Sequence, residues 1–447
     1  MKAHCTIALA AALTLSSAAR AQDDKQSLSL GDAARVAAER GAQVTIAREQ
    51  VTQANARTRQ LRADLLPSVT AGGKADARTV NTAALGFDFP TAPGQQPIFD
   101  SNGEVIGPNR SVDLRLRAEQ TVLDLQAIRR WRAAGVNAGA ARYNAAAVAD
   151  VAAEQGALAY LQVLSAEARL HARIADSALA EELLSIARRQ FAAGTAVALD
   201  VTRAEAQVAT AIEQLIATRS DRDQARLNLT RVLSLPVDTP IEMTDSLAHP
   251  SKDALPEIGA PEVQAALTRR SDIRAAEATA YAARQSVRAA NAQYLPTISL
   301  FADQGSIGSD VDNLRNTYTY GVIISVPVLD GLRRSSQVDE QRSIRREAET
   351  RWRDLQLQAE VEVRSATIEL RAARERVTAA DARLRLAEQE LNQARDRFRA
   401  GVASNADVIT ASVSLNGARD LVVDALTAFH VARVALASAQ GTITTMK

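Results

Sequence analysis

The chain repeats itself. Arg40-Gly-Ala-Gln-Val-Thr-Ile-Ala-Arg48 lines up with Arg269-Arg-Ser-Asp-Ile-Arg-Ala-Ala-Glu277, and without a gap Leu66-Pro67-Ser68-Val69 then meets Leu295-Pro296-Thr297-Ile298. Further on, Val122-Leu123-Asp124 matches Val328-Leu329-Asp330, each followed by an Arg-Arg pair. Phe191-Ala-Ala-Gly194 matches Phe398-Arg-Ala-Gly401, and Asp200-Val201 matches Asp407-Val408. Matches that keep one order over most of a chain indicate two copies of one structural plan. The prolines agree with that division. They gather near the Leu-Pro elements, in a first-half insertion at about 81–110 and between the halves, and none falls inside the long helical stretches, where it would break the hydrogen-bond ladder. We divide the chain into a leader at 1–21, a first repeat at 22–235, a Pro-rich connector at 236–260, a second repeat at 261–441 and a tail at 442–447.

Inside each repeat the apolar period is first helical. From Leu370 the seam runs Ala373, Val377, Ala380, Leu384, Ala387, Leu391, Ala394, Phe398, in steps of three and four. After Gly401 it resumes at Val408 and continues through Ala411, Leu415, Ala418, Val422, Ala425, Phe429, Ala432 and Leu436. Two such helices joined by a short glycine turn form an antiparallel hairpin. A helix running from about Arg333 to Phe398 is roughly 100 Å long, too long for a compact domain. Composition agrees: aromatic residues make up 3% of the chain and charged residues 23%, as expected of long helices packed in thin layers. Periodicity alone leaves a cytoskeletal or scaffold coiled coil open.

After each Leu-Pro element the period changes to two. Val69, Ala71, Gly73, Ala75 and Ala77 alternate with Thr70, Gly72, Lys74 and Asp76, while Val112, Leu114, Leu116 and Ala118 alternate with Asp113, Arg115, Arg117 and Glu119. Ile298, Leu300 and Ala302 alternate with Thr297, Ser299 and Asp303, with Phe301 out of pattern, and Tyr318, Tyr320, Val322, Ile324 and Val326 alternate with more polar neighbours. One apolar and one polar face suit strands with lipid on one side and water on the other. Four strands cannot surround a pore, and an open sheet edge is not tolerated in lipid, so spanning would require several chains to pool strands. A soluble pair of hairpins capping the helices is the other reading of the same pattern.

The first residues bear on the compartment. Lys2, the apolar run Thr6–Leu15 and Ala19-Arg20-Ala21 have the form of a secretory signal, so we expect the mature chain to start near Gln22. Beyond this leader we find no apolar stretch of membrane-spanning length. The single cysteine, Cys5, lies in the leader, which excludes disulfides, thiolate metal sites and cysteine nucleophiles from the mature chain.

The leader, the two tandem halves, the Leu-Pro-Ser/Thr junctions and the paired Phe-x-x-Gly-x5-Asp-Val segments at 191–201 and 398–408 closely resemble the TolC-like outer-membrane efflux proteins. The resemblance implies a mainly α fold with β: long antiparallel coiled-coil helices forming a trimeric α-barrel, and four strands per chain contributing to a 12-stranded transmembrane β-barrel. It implies a homotrimer in the outer membrane that extends into the periplasm. The connector and C-terminal region would form an equatorial belt. A periplasmic adaptor would dock on it and an inner-membrane transporter of RND, ABC or MFS type would drive it. By resemblance, the turns at Phe191, Gly194, Phe398 and Gly401 form the adaptor-docking tip, and Asp200, Arg203, Asp407 and Thr410 stand at the periplasmic entrance. The family often has a second acid where this chain has Thr410. For Asp200 and Asp407, helix N-capping is an equal reading and compatible with a gate. Pro67, Pro296 and Pro327 mark helix–strand junctions; Thr121 is the first-half counterpart of Pro327, so the two barrel-to-helix transitions need not bend alike.

Other chemistry finds little support. Lys+Arg 53 against Asp+Glu 52 leaves a net charge of +1, and the Arg-rich stretches lack interleaved stacking aromatics, which argues against nucleic acid. No phosphate-cradling or dinucleotide glycine signature follows a strand, and His171, His249 and His430 are too dispersed for a metal-ligand pattern, so we read them as incidental and expect no cofactor, metal or catalytic residue. The expected function is a passive exit duct for a tripartite efflux or type I secretion system. The alternatives are a periplasmic adaptor, which would show one hairpin rather than two, and a coiled-coil envelope protein without a pore.

Overall fold

The computed structural model describes residues 26–85, 103–250, 259–400 and 402–446. The leader, Gly401 and most of the expected insertion lie outside the described residues. The chain is mainly α with β. In order it forms β1 (Gln26–Leu28), α1 (Leu30–Arg40), α2 (Ala42–Ala63), β2 (Ser68–Asn81), β3 (Val105–Leu123), α3 (Leu125–Ala192), α4 (Ala198–Val232), β4 (Ile241–Met243), α5 (Ala260–Arg269), α6 (Ser271–Asn291), β5 (Thr297–Gly308), β6 (Arg315–Ser325), α7 (Arg333–Arg399) and α8 (Asn405–Ala439).

Helix gives way to strand where the sequence withdraws a backbone donor. α2 ends at Ala63 and β2 begins at Ser68, with Pro67 between them. Pro296 likewise precedes β5. Proline cannot continue a helix and pushes the residue before it to extended backbone, so Leu66-Pro67 and Leu295-Pro296 redirect the chain. α3 and α7 are 68 and 67 residues long, about 100 Å each. Ala373, Val377, Ala380, Ala387, Leu391 and Phe398 of the α7 seam are buried, as is every residue of the α8 seam from Val408 to Leu436 named above. Each buried Leu, Val or Phe contributes about 1.5–3 kcal/mol, and the intervening alanines let the helices approach closely. α8 is long and apolar enough in composition to cross a membrane, contrary to our expectation for the chain after the leader. Its seam residues are buried against α3 and α7, while Val413, Leu421 and Val431 stay exposed.

α3 is the central helix, packed against α1, α2, α4, α6 and α8. Where it crosses α1, a core forms from Leu28, Ala33, Ala37, Tyr160, Leu161, Leu229, Leu233, Val434 and Ile443. Around this core run β1 and β4, a parallel pair that the sequence reading missed: the start of the connector binds the N-terminal strand, Gln26 opposite Ile241. The fully buried Tyr160 donates its hydroxyl proton to Leu28 O at 2.8 Å, and Asp245 accepts from Leu30 N at 2.7 Å. Burial in this apolar shell pushes the Tyr160 phenol up to about 12. His430, read as incidental, is also buried here, its Nε2 at 3.0 Å from Ala248 O.

The other four strands form one antiparallel sheet in the order β2-β3-β5-β6. They are longer than the alternation suggested, and β3 reaches back to Val105, so the upper part of the expected 81–110 loop is strand. Among the described residues β2 pairs only with β3 and β6 only with β5, which leaves each outer strand with an unpaired edge. Phe301, the residue out of pattern, has a local explanation. It lies over Gly321, where a Cβ would come within 2.9 Å of its ring, and the Arg117 guanidinium stands 5.9 Å from its centroid.

Candidate functional site

At the end of the hairpins farthest along the chain from the sheet, α3 and α7 stop in the same way. Gly194 takes a left-handed φ of 73°, Gly194 N donates to Phe191 O at 3.0 Å, and Thr195 N donates to Gln190 O at 2.9 Å. These two bonds make a Schellman cap, for which glycine is favoured because it adopts this backbone without a Cβ clash. In the second repeat Val402 N donates to Arg397 O at 2.9 Å, the same long bond; Gly401 itself lies outside the described residues. The paired phenylalanines diverge. Phe398 is buried against α8, whereas Phe191 is 49% exposed beside the exposed Val197 and Leu199.

The two aspartates also diverge. Asp407, at the third position of α8, accepts from Ser404 N at 3.0 Å and from Ser404 Oγ at 3.1 Å, completing a capping box. Asp200 holds the equivalent position in α4, but Val197 before it offers no side-chain cap, so the Asp200 carboxylate is spared that role. The backbone of Asp200 has another partner: Asn405 Nδ2 donates to Asp200 O at 2.8 Å, tying the start of α8 to the start of α4. Asn405 is buried, and its Oδ1 has no partner there. No sequence signal marked this tie. Thr410 Oγ1 donates to Ala406 O of its own helix at 2.9 Å. Arg203 is exposed.

Between tip and sheet, α3 and α8 are joined by a line of charges. Asp176, buried, accepts from Arg173 at 3.0 Å and from Arg419 at 2.6 Å; Arg173 also binds Asp420, and Arg169 binds Asp424. Arg169, Arg173, Asp420 and Asp424 border an 870 Å³ groove, which Asp221, Gln224 and Asn228 of α4 also line.

On the sheet, one face carries the charges in matched pairs. Arg115 lies between Asp113 at 3.1 Å and Asp303 at 2.5 Å, Lys74 reaches Asp76 at 2.9 Å, and Arg117 reaches Glu119 at 2.7 Å. The other face presents Val69, Leu114, Leu116, Tyr318, Tyr320, Val322 and Ile324, all exposed. The transitions back to helix differ, as the Thr121/Pro327 contrast suggested. Asp124 caps α3 directly through Ala127 N at 2.9 Å. Before α7 the chain makes a turn with Gly331 and Leu332 both at positive φ. Arg334 fastens that turn to Asp330 at 2.6 Å and to Pro327 O at 3.1 Å, and its guanidinium lies 5.4 Å from the Tyr294 ring centroid. The Arg334 hydrogen bond holds the Asp330 carboxyl below its ordinary range.

A family model described as outer membrane efflux protein matches residues 33–234 and 263–442. The chain is 27% identical over 294 residues to the outer membrane efflux protein BepC of Brucella suis biovar 1, a match covering 65% of this chain and 63% of that protein. It is 36% identical over 171 residues to the toluene efflux pump outer membrane protein TtgF of Pseudomonas putida, covering 38% of this chain and 33% of that one. These matches thus span less than two thirds of either relative. Among solved structures, the outer membrane protein VceC of Vibrio cholerae superposes with a TM-score of 0.73 at 20% identity, over 92% of this chain and 96% of that chain. That likeness concerns the fold.

Proposed function

The chain belongs to the outer membrane efflux protein family, and from that premise we propose that it is the outer-membrane exit duct of a tripartite efflux or type I secretion system, passively conducting substrates from the periplasm or a pump to the cell exterior. The observation that carries the reading is the sheet: four long strands, apolar on one face and charged on the other, with both edges unpaired among the described residues, at one end of helices about 100 Å long. In lipid those edges must be closed. Three copies supply twelve strands, enough for a barrel. The apolar face then meets outer-membrane lipid and the paired charges line water. The helices continue the wall into the periplasm.

The exposed apolar residues of the outer helices support the same assembly. Leu357, Val361 and Ile368 of α7 and Ile212 and Ile216 of α4 are exposed within one chain. At the tip, Asp200 and Asp407 from three copies would ring a narrow axis, where like charges repel and hold cations. Asp200 suits that role better, since Asp407 is engaged in a cap. Arg203 and Thr410 flank the ring. The exposed Phe191 and the Gly194 and Gly401 turns offer the surface for a periplasmic adaptor, through which an inner-membrane transporter of RND, ABC or MFS type supplies the energy. No catalytic residue enters this reading.

Planar-bilayer recording of the purified protein, paired with gels of heated and unheated samples, tests it. The expected result is a heat-sensitive trimer that conducts ions, with conductance reduced by divalent cations. A monomer in detergent that passes no current would overturn the reading.

A further inference from the structure

A hollow lies on the face of α3 opposite α1. α1 packs on the side of α3 that carries Ala153, Ala157 and Tyr160. Val148, Val151 and Gln155 stand about half a turn round the same helix and line a pocket of about 420 Å³. The starts of α2 and α6 and the end of α8 close its other sides, through Gln43, Ser271 and Ser438. That volume lies within the range of small-molecule sites.

The charges in its wall are not all matched. Arg270, the basic residue of the wall, is already held from two sides: its guanidinium forks onto Asp272 at 2.7 and 3.1 Å and also binds Glu362. Asp272 in turn lies in the first turn of α6, where a carboxylate complements the positive end of the helix. Asp150 is left over. It lines the pocket half-buried, its hydrogen-bond partner is the Ser271 hydroxyl, and among the described residues it forms no ion pair. Burial pushes its carboxyl above the ordinary range and Asp272 adds to that push, while Ser271 and the already paired Arg270 only partly offset it. A carboxylate so placed gains from a cation that a ligand brings with it.

The rest of the wall decides the kind of cation. The amides of Gln43, Asn144 and Gln155 present carbonyl oxygens suited to N–H donors, and Val148 and Val151 are apolar. Past Asn144 and Ala147 a second hollow of about 580 Å³ continues along α3, walled largely by alanines and by Ile344 of α7. A bare metal ion would leave these apolar surfaces unused, and among the described residues no group of three metal-ligating side chains stands together. We propose that this pocket binds an organic cation, a primary ammonium or guanidinium group paired with Asp150 and an apolar body laid along Val148 and Val151 towards Ile344. The site goes beyond the duct reading and stands without it. Joined to that reading, it makes positively charged organic molecules a class of cargo held in the wall, a consequence that alone rests on the duct.

Dansylcadaverine, a fluorescent primary amine, is the probe. N-dansyl-aminohexanoate, the same chain with a carboxylate in place of the ammonium, is its control. Added to the purified full chain in nonionic detergent near neutral pH, the amine should show saturable blue-shifted emission and the acid should not. Asp150→Asn keeps an acceptor for the Ser271 hydroxyl, removes the charge and should weaken the amine at least about tenfold. Asp150→Glu should restore most of that affinity. Val151 is 54% exposed, so Val151→Trp fills the hollow without disturbing a core and should also weaken the amine about tenfold. Asp424→Asn, in the groove farther along α3, should leave the affinity as it is. Equal binding of amine and acid, an unchanged affinity in Asp150→Asn, or no saturable binding by the parent overturns the site, whatever the conductance. A loss in Asp150→Asn that Asp150→Glu does not restore marks a structural role and overturns it too. A parent that binds the amine as described but passes no current in planar bilayers overturns the duct and leaves the pocket standing.

Discussion

Gly156 stands in α3 where that helix crosses α1, and replacing it with alanine sets two effects against each other. Alanine is the better helix former by about 1 kcal/mol. A Cβ at this position, however, would lie 2.6 Å from Ala37 Cβ and 2.7 Å from Ala33 O. Carbon atoms pack best at about 3.5–4.0 Å, so α1 must retreat by about 1 Å. Overpacking costs about 1–3 kcal/mol, and because one of the obstructing atoms belongs to α1 backbone the upper end applies. The net expectation is a loss of about 2 kcal/mol confined to the docking of α1. Amide exchange of residues 30–40 should then speed up about thirtyfold, with α7 and α8 unchanged. Gly135→Ala and Gly139→Ala in the same helix are the controls, since nothing lies within 4 Å of a Cβ at either position; both should slow exchange or leave it alone. If Gly156→Ala protects α1 as well as the parent does, close backbone approach is not what places glycine there.

Asp407→Asn keeps an acceptor for Ser404 N while removing the charge. It should leave α8 stability unchanged yet weaken divalent block of conductance, whereas Asp407→Ala should also cost about 1 kcal/mol of helix stability, read by thermal unfolding. Asp176→Ala removes the buried carboxylate that Arg173 and Arg419 share, leaving Arg173 with Asp420 alone, and should cost about 3 kcal/mol, measured as a drop in the denaturation midpoint; a loss below 1 kcal/mol would show the cluster to be solvated. Burial, reinforced by the nearby Arg433, lowers the His430 imidazole from its ordinary 6.5 against opposing contributions from Ala248 O and Asp245. The unfolded chain therefore binds a proton that the folded chain refuses. The His430 contribution is complete above pH 6.5 and declines as pH falls toward the folded value. His430→Gln should flatten the stability profile between pH 7 and 5.5, and an identical slope in the variant would contradict that assignment.

Much of the fold could be read from spacing. The α7 and α8 seams were legible because a coiled-coil contact depends on neighbours three and four residues away. The Leu-Pro junctions were legible because proline acts on its own backbone and the residue before it. Strand faces were legible from the period of two, although Phe301 looked anomalous until Gly321 was found beneath its ring. The candidate entrance was less transparent. Asp200 and Asp407 are equivalent in the repeat, yet Ser404 makes one a capping partner and Val197 leaves the other free. The Asp176 cluster looked like ordinary surface charge because its partners on α8 lie more than 240 residues away in the chain.

Local periodicity thus settled the long helices and the kind and order of the four sheet strands, though neither the full strand lengths nor β1 and β4, since a repeat of faces is governed by atoms within a turn or two of the same backbone. Tertiary structure alone decided which face of each long helix stays uncovered, which charges are sealed between α3 and α8, that Asn405 ties the two hairpin starts, and that β2 and β6 are the outer strands of the sheet. Those outcomes depend on which distant segments the topology brings together, and a linear pattern carries no term for a partner roughly two hundred residues away.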